Sequence, residues 1–231
     1  MATLEQVLVA EAATARRVSV LASVAAGLLV GMAECLFFAV TLSMFQIQLL
    51  TWQWFGYAAY TAVSGVAFAL VVAAPVLAGW AFALLLGRSG SAWWRTALTG
   101  PTLLLASMVG VVIAATLEPL GIQSPGPQLV LVFRVAFVLA SATAALLCTF
   151  AVARLLGIPN GLNVALLTAA ATGVTYLVVV LVLDQLPGWR VGGGDKAMVR
   201  VAMLGNLLAG TVGGSIAFGL LSRWLRTAHT E

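Results

Sequence analysis

Two ionisable side chains, Glu34 and Arg134, lie well inside long apolar stretches and are the first candidates for chemistry. In hydrocarbon, a carboxylate or a guanidinium costs several kcal/mol unless it is paired or hydrated. Each lies about five or six residues inside the end of its stretch, so at about 1.5 Å per residue both are expected roughly 8–9 Å below the same membrane surface. We therefore predict that they form an intramembrane ion pair between neighbouring helices or contact a solute. The alternative is that each reaches a wet vestibule separately.

A second group of charged side chains gathers where the last two apolar stretches approach that surface. These residues are Asp184, Arg190, Lys196 and Arg200. The cluster predicts an outer vestibule that draws in a polar solute, although charges beside a membrane span also simply mark the water boundary. The run of glycines that begins at Gly192 follows no strand and opens no Walker motif, so we interpret it as a flexible linker.

Catalytic and metal chemistry find little support in the sequence. His229 is the only histidine and no lysine lies within an apolar stretch, so we expect neither imidazole-based metal or haem sites nor a retinal Schiff base inside the membrane. The HExxH motif and paired carboxylates on one helix are also missing. We therefore predict no enzymatic activity, no metal and no cofactor. Cys35 and Cys148 fall in different stretches, and we interpret them as small buried hydrophobic residues rather than a disulfide.

The elements that must position these residues are membrane-spanning helices. The 231 residues are 62% hydrophobic and 8% charged, which is about a third of the charge found in a soluble domain. The formal net charge of +4 could suggest nucleic acid, but the basic residues stand singly or in pairs at the ends of apolar stretches and form no patch. The sequence therefore predicts an all-α, polytopic integral membrane protein in a lipid bilayer, without a nucleic-acid partner.

Six apolar stretches are long enough for a helix of about 20 residues to cross the hydrocarbon. The predicted spans are about 18–40, 58–86, 98–117, 129–153, 163–183 and 199–222. We expect residues 1–17 to be a cytoplasmic leader, either solvated or lying on the surface as a short amphipathic helix, and residues 227–231 to be a cytoplasmic tail. Residues 41–57 either extend the first helix or lie at the membrane surface, where tryptophan and glutamine are common. Residues 18–226 thus form a single six-helix transmembrane domain.

The distribution of basic residues predicts how the spans are oriented. If both termini are cytoplasmic, the acids and bases on that side sum to the whole net charge of +4, while those on the other side balance. The cytoplasmic bases would be Arg16, Arg17, Arg88, Arg95, Arg154, Arg223 and Arg226. This is the positive-inside pattern. We therefore predict cytoplasmic termini and a location in a cell membrane, the plasma or inner membrane of a prokaryote.

The sixth predicted span carries small residues at four-residue spacing, together with one amide. They are Gly205, Asn206, Ala209, Gly210, Gly213 and Gly214. Small residues on one helix face let another backbone approach closely, and an amide can hydrogen-bond across the contact. We predict a helix-packing interface here, either within the chain, with a partner subunit or with a second copy of the chain.

Two further features bear on function. Leu21–Leu29 and Leu139–Leu147 match at six of nine positions, and three spans per half would give the inverted repeats that many transporters use. The segment Gly205–Gly210, with further glycines and a basic end, resembles the last helix of the membrane substrate-binding components of energy-coupling-factor vitamin transporters, which also look like six-helix proteins. The resemblance covers one span in six and carries over no binding residue. We predict a permease-like protein or the membrane component of a small-molecule transporter; the alternative is a structural or assembly subunit of a larger membrane complex.

Overall fold

The computed structural model describes residues 19–39, 127–187 and 195–227, together with scattered positions between 53 and 85. Regular structure in these ranges is all helical, without strands. The long helices are α1 (Ser19–Ala39), α2 (Pro127–Leu155), α3 (Gly161–Leu183) and α4 (Asp195–Thr227). Each of these four contains a stretch that is long and apolar enough to cross a membrane. The described part is therefore a bundle of candidate membrane-spanning helices, which indicates a membrane protein.

These helices coincide with four of the predicted spans. The first, fourth, fifth and sixth predicted spans correspond to α1, α2, α3 and α4. The positions described between 59 and 85 are helical as well, as expected for the second span, and so are Gln53 and Gly56 before it. The third span at 98–117, the leader 1–17, most of residues 41–57 and the tail after Thr227 lie outside the described residues. The number of crossings therefore stays a prediction.

Neighbouring helices in the bundle run antiparallel. Gly31 of α1 lies against Thr211 of α4, and Gly27, one turn earlier, lies against Ser215, one turn later. The same alternation holds for α2 with α3 and for α3 with α4. We call the end of the bundle where α1 and α3 finish the Arg134 end, and the opposite end, which holds the α2–α3 turn, the turn end.

A Schellman motif closes the turn between α2 and α3. Gly157 has a φ of 71°, which glycine adopts without steric cost. Its N–H donates to the Arg154 carbonyl at 3.1 Å, and the Ile158 N–H donates to the Ala153 carbonyl at 2.9 Å, so two terminal carbonyls of α2 are satisfied. A Cβ added at Gly161 would lie 2.7 Å from the Cβ of Ala153. These contacts hold α2 and α3 together as a tight hairpin.

Glycines on both helices bring α1 and α4 into backbone contact. A Cβ added at Gly27 or Gly31 would collide with backbone atoms of α4, including those of Thr211. In return, a Cβ added at Gly214 would lie 3.0 Å from the Cα of Gly27. Such close approach increases van der Waals contact, which drives helix association in lipid because the lipid tails remove most of the hydrophobic driving force.

A neighbouring face of α4 packs against α3. Tyr176 is fully buried, and a Cβ added at Gly205 would lie 2.5 Å from the Cζ of its ring. A Cβ added at Gly213 would collide with the hydroxyl of Thr172, and Ala209 is fully buried in the same contact. The small residues predicted to form an interface therefore pack against α1 and α3 of the same chain.

A hydrophobic cluster fills the turn end of the bundle. We call it the turn-end cluster, and its buried members are Ala26, Val30, Val152, Ala153, Leu156, Ile158, Val164, Phe218 and Leu221. All four helices and the α2–α3 turn contribute to it. It packs the bundle at that end.

Candidate functional site

A small cavity lies at the centre of the bundle, between all four helices. Its volume is about 40 Å³, and roughly 10–15 Å³ suffices for one water molecule. The polar side chains that line it are Glu34, Cys148, Thr149, Thr168 and Thr172. The glycines of α4 that line it are Gly210, Gly213 and Gly214. The remaining wall is apolar, so this is a largely apolar cavity that a few polar side chains reach.

Glu34 enters the cavity because α4 carries a glycine opposite it. Glu34 is half-buried, and a Cβ added at Gly210 would lie 2.5 Å from its Oε2. The same Cβ would lie 2.9 Å from the Cα of Gly31. Any larger residue at position 210 would therefore displace either the carboxyl group or the whole of α1.

The threonines of α3 present hydrogen-bond acceptors to the cavity. Thr172 Oγ1 donates to the Thr168 carbonyl at 2.8 Å, and Thr168 Oγ1 donates to the Val164 carbonyl at 2.9 Å. Such bonds within a helix satisfy hydroxyl protons where no water is present. Because a hydroxyl has one proton, each oxygen is left with acceptor capacity only. An ionised Glu34 carboxylate is also acceptor-only.

Three aromatic rings separate the cavity from the Arg134 end. Phe137 makes an edge-to-face contact with Phe38 at 6.4 Å and stacks on Tyr176 at 6.3 Å between ring centroids. The Tyr176 hydroxyl donates to the carbonyl of Ala202 at 3.4 Å. Phe38 and Tyr176 are each one turn beyond a cavity residue, Glu34 on α1 and Thr172 on α3. We call Phe38, Phe137 and Tyr176 the aromatic layer.

An ion pair lies beyond the aromatic layer. Arg134 Nη2 pairs with Asp184 Oδ2, and the two side chains are 27% and 12% exposed. Arg134 lies near the start of α2 and Asp184 follows the end of α3, so the antiparallel hairpin brings them together. The predicted pairing of Arg134 with Glu34 is corrected by this contact: the partner of Arg134 is Asp184.

The predicted pairing was wrong because the two residues do not share a level. Phe38 of α1 and Phe137 of α2 are in contact and mark a common level. Arg134 lies about one turn from that level toward the Arg134 end. Glu34 lies about one turn from it in the other direction, toward the turn end. The two charged groups are thus about two turns apart, roughly 10 Å along the bundle. Each depth was counted from the end of its own apolar stretch, and such a count does not set the register between two helices.

Ser141 occupies the level of Glu34 on α2. It lies one turn from Phe137 toward the turn end, as Glu34 lies one turn from Phe38. Its Oγ is buried and has no hydrogen-bond partner in the described part of the chain. A buried hydroxyl without a partner lowers the stability of the folded state by about 1–3 kcal/mol. Ser141 therefore has hydrogen-bonding capacity that is not used within the described part of the chain.

The other predicted site residues are more dispersed. Arg200 is exposed near the start of α4, and Lys196 belongs to its first turn. Asn206 is half-buried. Arg190 lies outside the described residues. Of the predicted vestibule, the structure brings Asp184 to Arg134, and the vestibule as a whole stays a prediction.

Sequence reasoning missed the polar residues of α3. Thr168, Thr172 and Tyr176 follow one another at four-residue spacing in an otherwise apolar helix, so they share one face. That spacing was a usable signal, because hydroxyl groups on one face of an apolar span usually point away from lipid. Thr149 of α2 shares a face with Ser141, eight residues earlier, which is a weaker signal because only two hydroxyl groups take part.

Metal-binding clusters and a disulfide are not found among the residues that the structure describes. No three His, Cys, Asp or Glu side chains come together in these ranges. Cys35 and Cys148 are both free thiols.

No protein-family model matches this chain, and neither does any curated protein or solved structure. The function therefore has to be argued from the site.

Proposed function

We propose that the protein is a permease, or the membrane component of a small-molecule transporter, that moves a small solute through the centre of its helix bundle and performs no chemistry of its own. The observation that carries the proposal is the carboxyl group of Glu34 beside a cavity that lies between four apolar helices. An ionisable group inside a membrane domain is expensive, and such groups mark solute and ion pathways.

The layers on either side of the cavity support this proposal. Toward the Arg134 end, the aromatic layer and the Arg134–Asp184 ion pair close the bundle. Toward the turn end, the turn-end cluster closes it. A central site with a packed layer on either side suits alternating access, in which one layer opens while the other stays shut.

A thermal-unfolding screen tests the proposal. Purified protein in mild detergent is heated with amines, amino acids, sugars, nucleobases and vitamins, and any compound that raises the unfolding temperature is then tested for uptake into proteoliposomes. A ligand at about 100 times its Kd stabilises the native state by roughly 2.7 kcal/mol. We expect at least one compound to raise the unfolding temperature, and we expect the same compound not to raise that of the Glu34→Gln variant.

Asp184→Asn provides the matched control, because it removes an acid of the same bundle that lies outside the cavity. This variant should unfold at a lower temperature yet keep the ligand-induced increase. Folded protein that responds to no compound and takes none up would contradict the proposal.

The proposed permease has six spans, cytoplasmic termini and a location in a prokaryotic plasma or inner membrane. The positive-inside distribution of arginine supports this orientation. Cysteines introduced one at a time near Trp189 and at the C-terminus should react with an impermeant maleimide from opposite sides of the membrane. Labelling of both from the same side would contradict the orientation.

A structural or assembly subunit of a larger complex is the second candidate function. The size of the cavity favours it, because about 40 Å³ gives room for only about three water molecules. The small residues of α4 are already in contact with α1 and α3, so a partner would bind another face. Native mass spectrometry of a gentle detergent extract distinguishes the candidates: a partner that co-purifies in fixed ratio, together with a negative ligand screen, would favour the subunit.

A further inference from the structure

We propose that the cavity beside Glu34 binds a small dehydrated monovalent metal cation of the Na⁺ class. This inference deepens the proposed function by assigning the cavity a coupling ion, and it rests on that function for its purpose. The binding itself is measurable without transport.

Three of the five polar side chains that line the cavity favour a cation. The hydroxyl protons of Thr168 and Thr172 are committed to carbonyls of their own helix, so these oxygens can only accept hydrogen bonds or coordinate a cation. The carboxylate of Glu34, on α1, adds a third acceptor group. An anion would meet repulsion from every one of these oxygens. Hard cations, in contrast, prefer oxygen ligands of this kind.

The charge of the cavity selects a monovalent ion. Among the described residues that line the cavity, Glu34 is the only acidic side chain, and none is basic. One bound positive charge therefore neutralises the site. A divalent ion would leave an uncompensated charge inside the membrane, where such a charge costs several kcal/mol.

The size of the cavity selects a small ion without most of its water. A volume of about 40 Å³ has room for about three water-sized groups, at roughly 10–15 Å³ each, so an ion enters with at most about two water molecules. The space exists because Gly210 and Gly213 have no side chains: a Cβ on either would reach the Glu34 carboxyl or the Thr172 hydroxyl. Both helices that carry ligands, α1 and α3, thus face a surface of α4 that leaves room for the ion.

Equilibrium binding of radiolabelled sodium to the purified full-length protein tests the inference. The buffer contains choline chloride to keep the ionic strength constant, and unlabelled Na⁺, Li⁺ and K⁺ serve as competitors. We expect saturable binding of about one Na⁺ per chain, with Li⁺ competing better than K⁺ because the cavity is small. Absence of saturable binding to folded protein would overturn the inference.

Variants separate the cavity from other sites. Glu34→Gln should abolish binding, and Thr172→Val should weaken it about tenfold, because it removes an oxygen that contacts a charged group. Ser23→Ala is the matched control: its hydroxyl also donates to a carbonyl four residues earlier, at 2.8 Å, but it does not line the cavity. The affinity of Ser23→Ala for Na⁺ should equal that of the wild type. If Glu34→Gln does not fold, Thr172→Val decides, and wild-type affinity in that variant would overturn the inference.

The two proposals fail in different ways. Sodium binding that depends on Glu34, with no solute in the screen, would remove the permease and keep the cation site. Solute uptake by proteoliposomes that neither bind nor require Na⁺ would keep the permease and remove the cation site.

Discussion

The ion pair between Arg134 and Asp184 can be tested by a double-mutant cycle. The structure joins these residues across the α2–α3 hairpin, whereas the positions of charges in the sequence pointed to Glu34 as the partner of Arg134. The perturbations are Arg134→Gln, Asp184→Asn and the double variant, which remove charge while keeping size. The measured quantity is the free energy of unfolding.

The expected magnitude follows from the burial of the two side chains. Exposed ion pairs contribute about 0.2–1 kcal/mol, and loss of one partner from a buried pair costs about 3–5 kcal/mol. Arg134 is 27% exposed and Asp184 is 12% exposed, so this pair lies between the two limits. We expect Arg134→Gln to cost about 3 kcal/mol, because it leaves the more buried charge alone, and Asp184→Asn to cost about 2 kcal/mol. The double variant should lose about 3 kcal/mol, which gives a coupling energy of about 2 kcal/mol.

The assay is unfolding in mixed micelles of mild detergent and SDS, followed by tryptophan fluorescence. A second cycle with Glu34→Gln and Arg134→Gln is the control. These residues are about two turns apart, so their effects should add within about 0.5 kcal/mol. Additive effects for Arg134 with Asp184, together with strong coupling between Arg134 and Glu34, would refute the arrangement described here.

Three further predictions concern packing around the cavity, and each is measured by the same unfolding assay. Gly31→Ala should lower the free energy of unfolding by about 1–3 kcal/mol, because a Cβ there collides with the backbone of α4. Gly219→Ala is the control and should be neutral, because its Cβ would lie 3.6 Å from its nearest neighbour in the same interface. Equal losses in the two variants would contradict the close contact. Gly205→Ala should cost about 1–3 kcal/mol because the ring of Tyr176 occupies the space, and an unchanged stability would show that the ring lies elsewhere. Leu221→Ala should cost about 2–5 kcal/mol, since Leu221 is fully buried and lines the cavity; a loss below about 1 kcal/mol would contradict its place in the core.

The limits of the described helices were predictable because they depend on local properties of the chain. A helix satisfies its own backbone hydrogen bonds, so in lipid any apolar stretch of about 20 residues becomes one. The stretches about 129–153 and 163–183 are contained in α2 and α3 for this reason. The small residues of the last span were also identifiable as a packing surface, because close helix contact in membranes requires them.

Which groups meet at the centre was decided only by the tertiary structure. The rotation and register of each helix set those contacts. Neither can be deduced from the position of an apolar stretch in the sequence. The carboxyl of Glu34 therefore faces Gly210 instead of Arg134, and the hydroxyls of Thr168 and Thr172 join it from another helix. The sequence by itself determined that a charge would be buried in the first helix; the packing of glycines on α4 decided where that charge has room and which oxygens surround it.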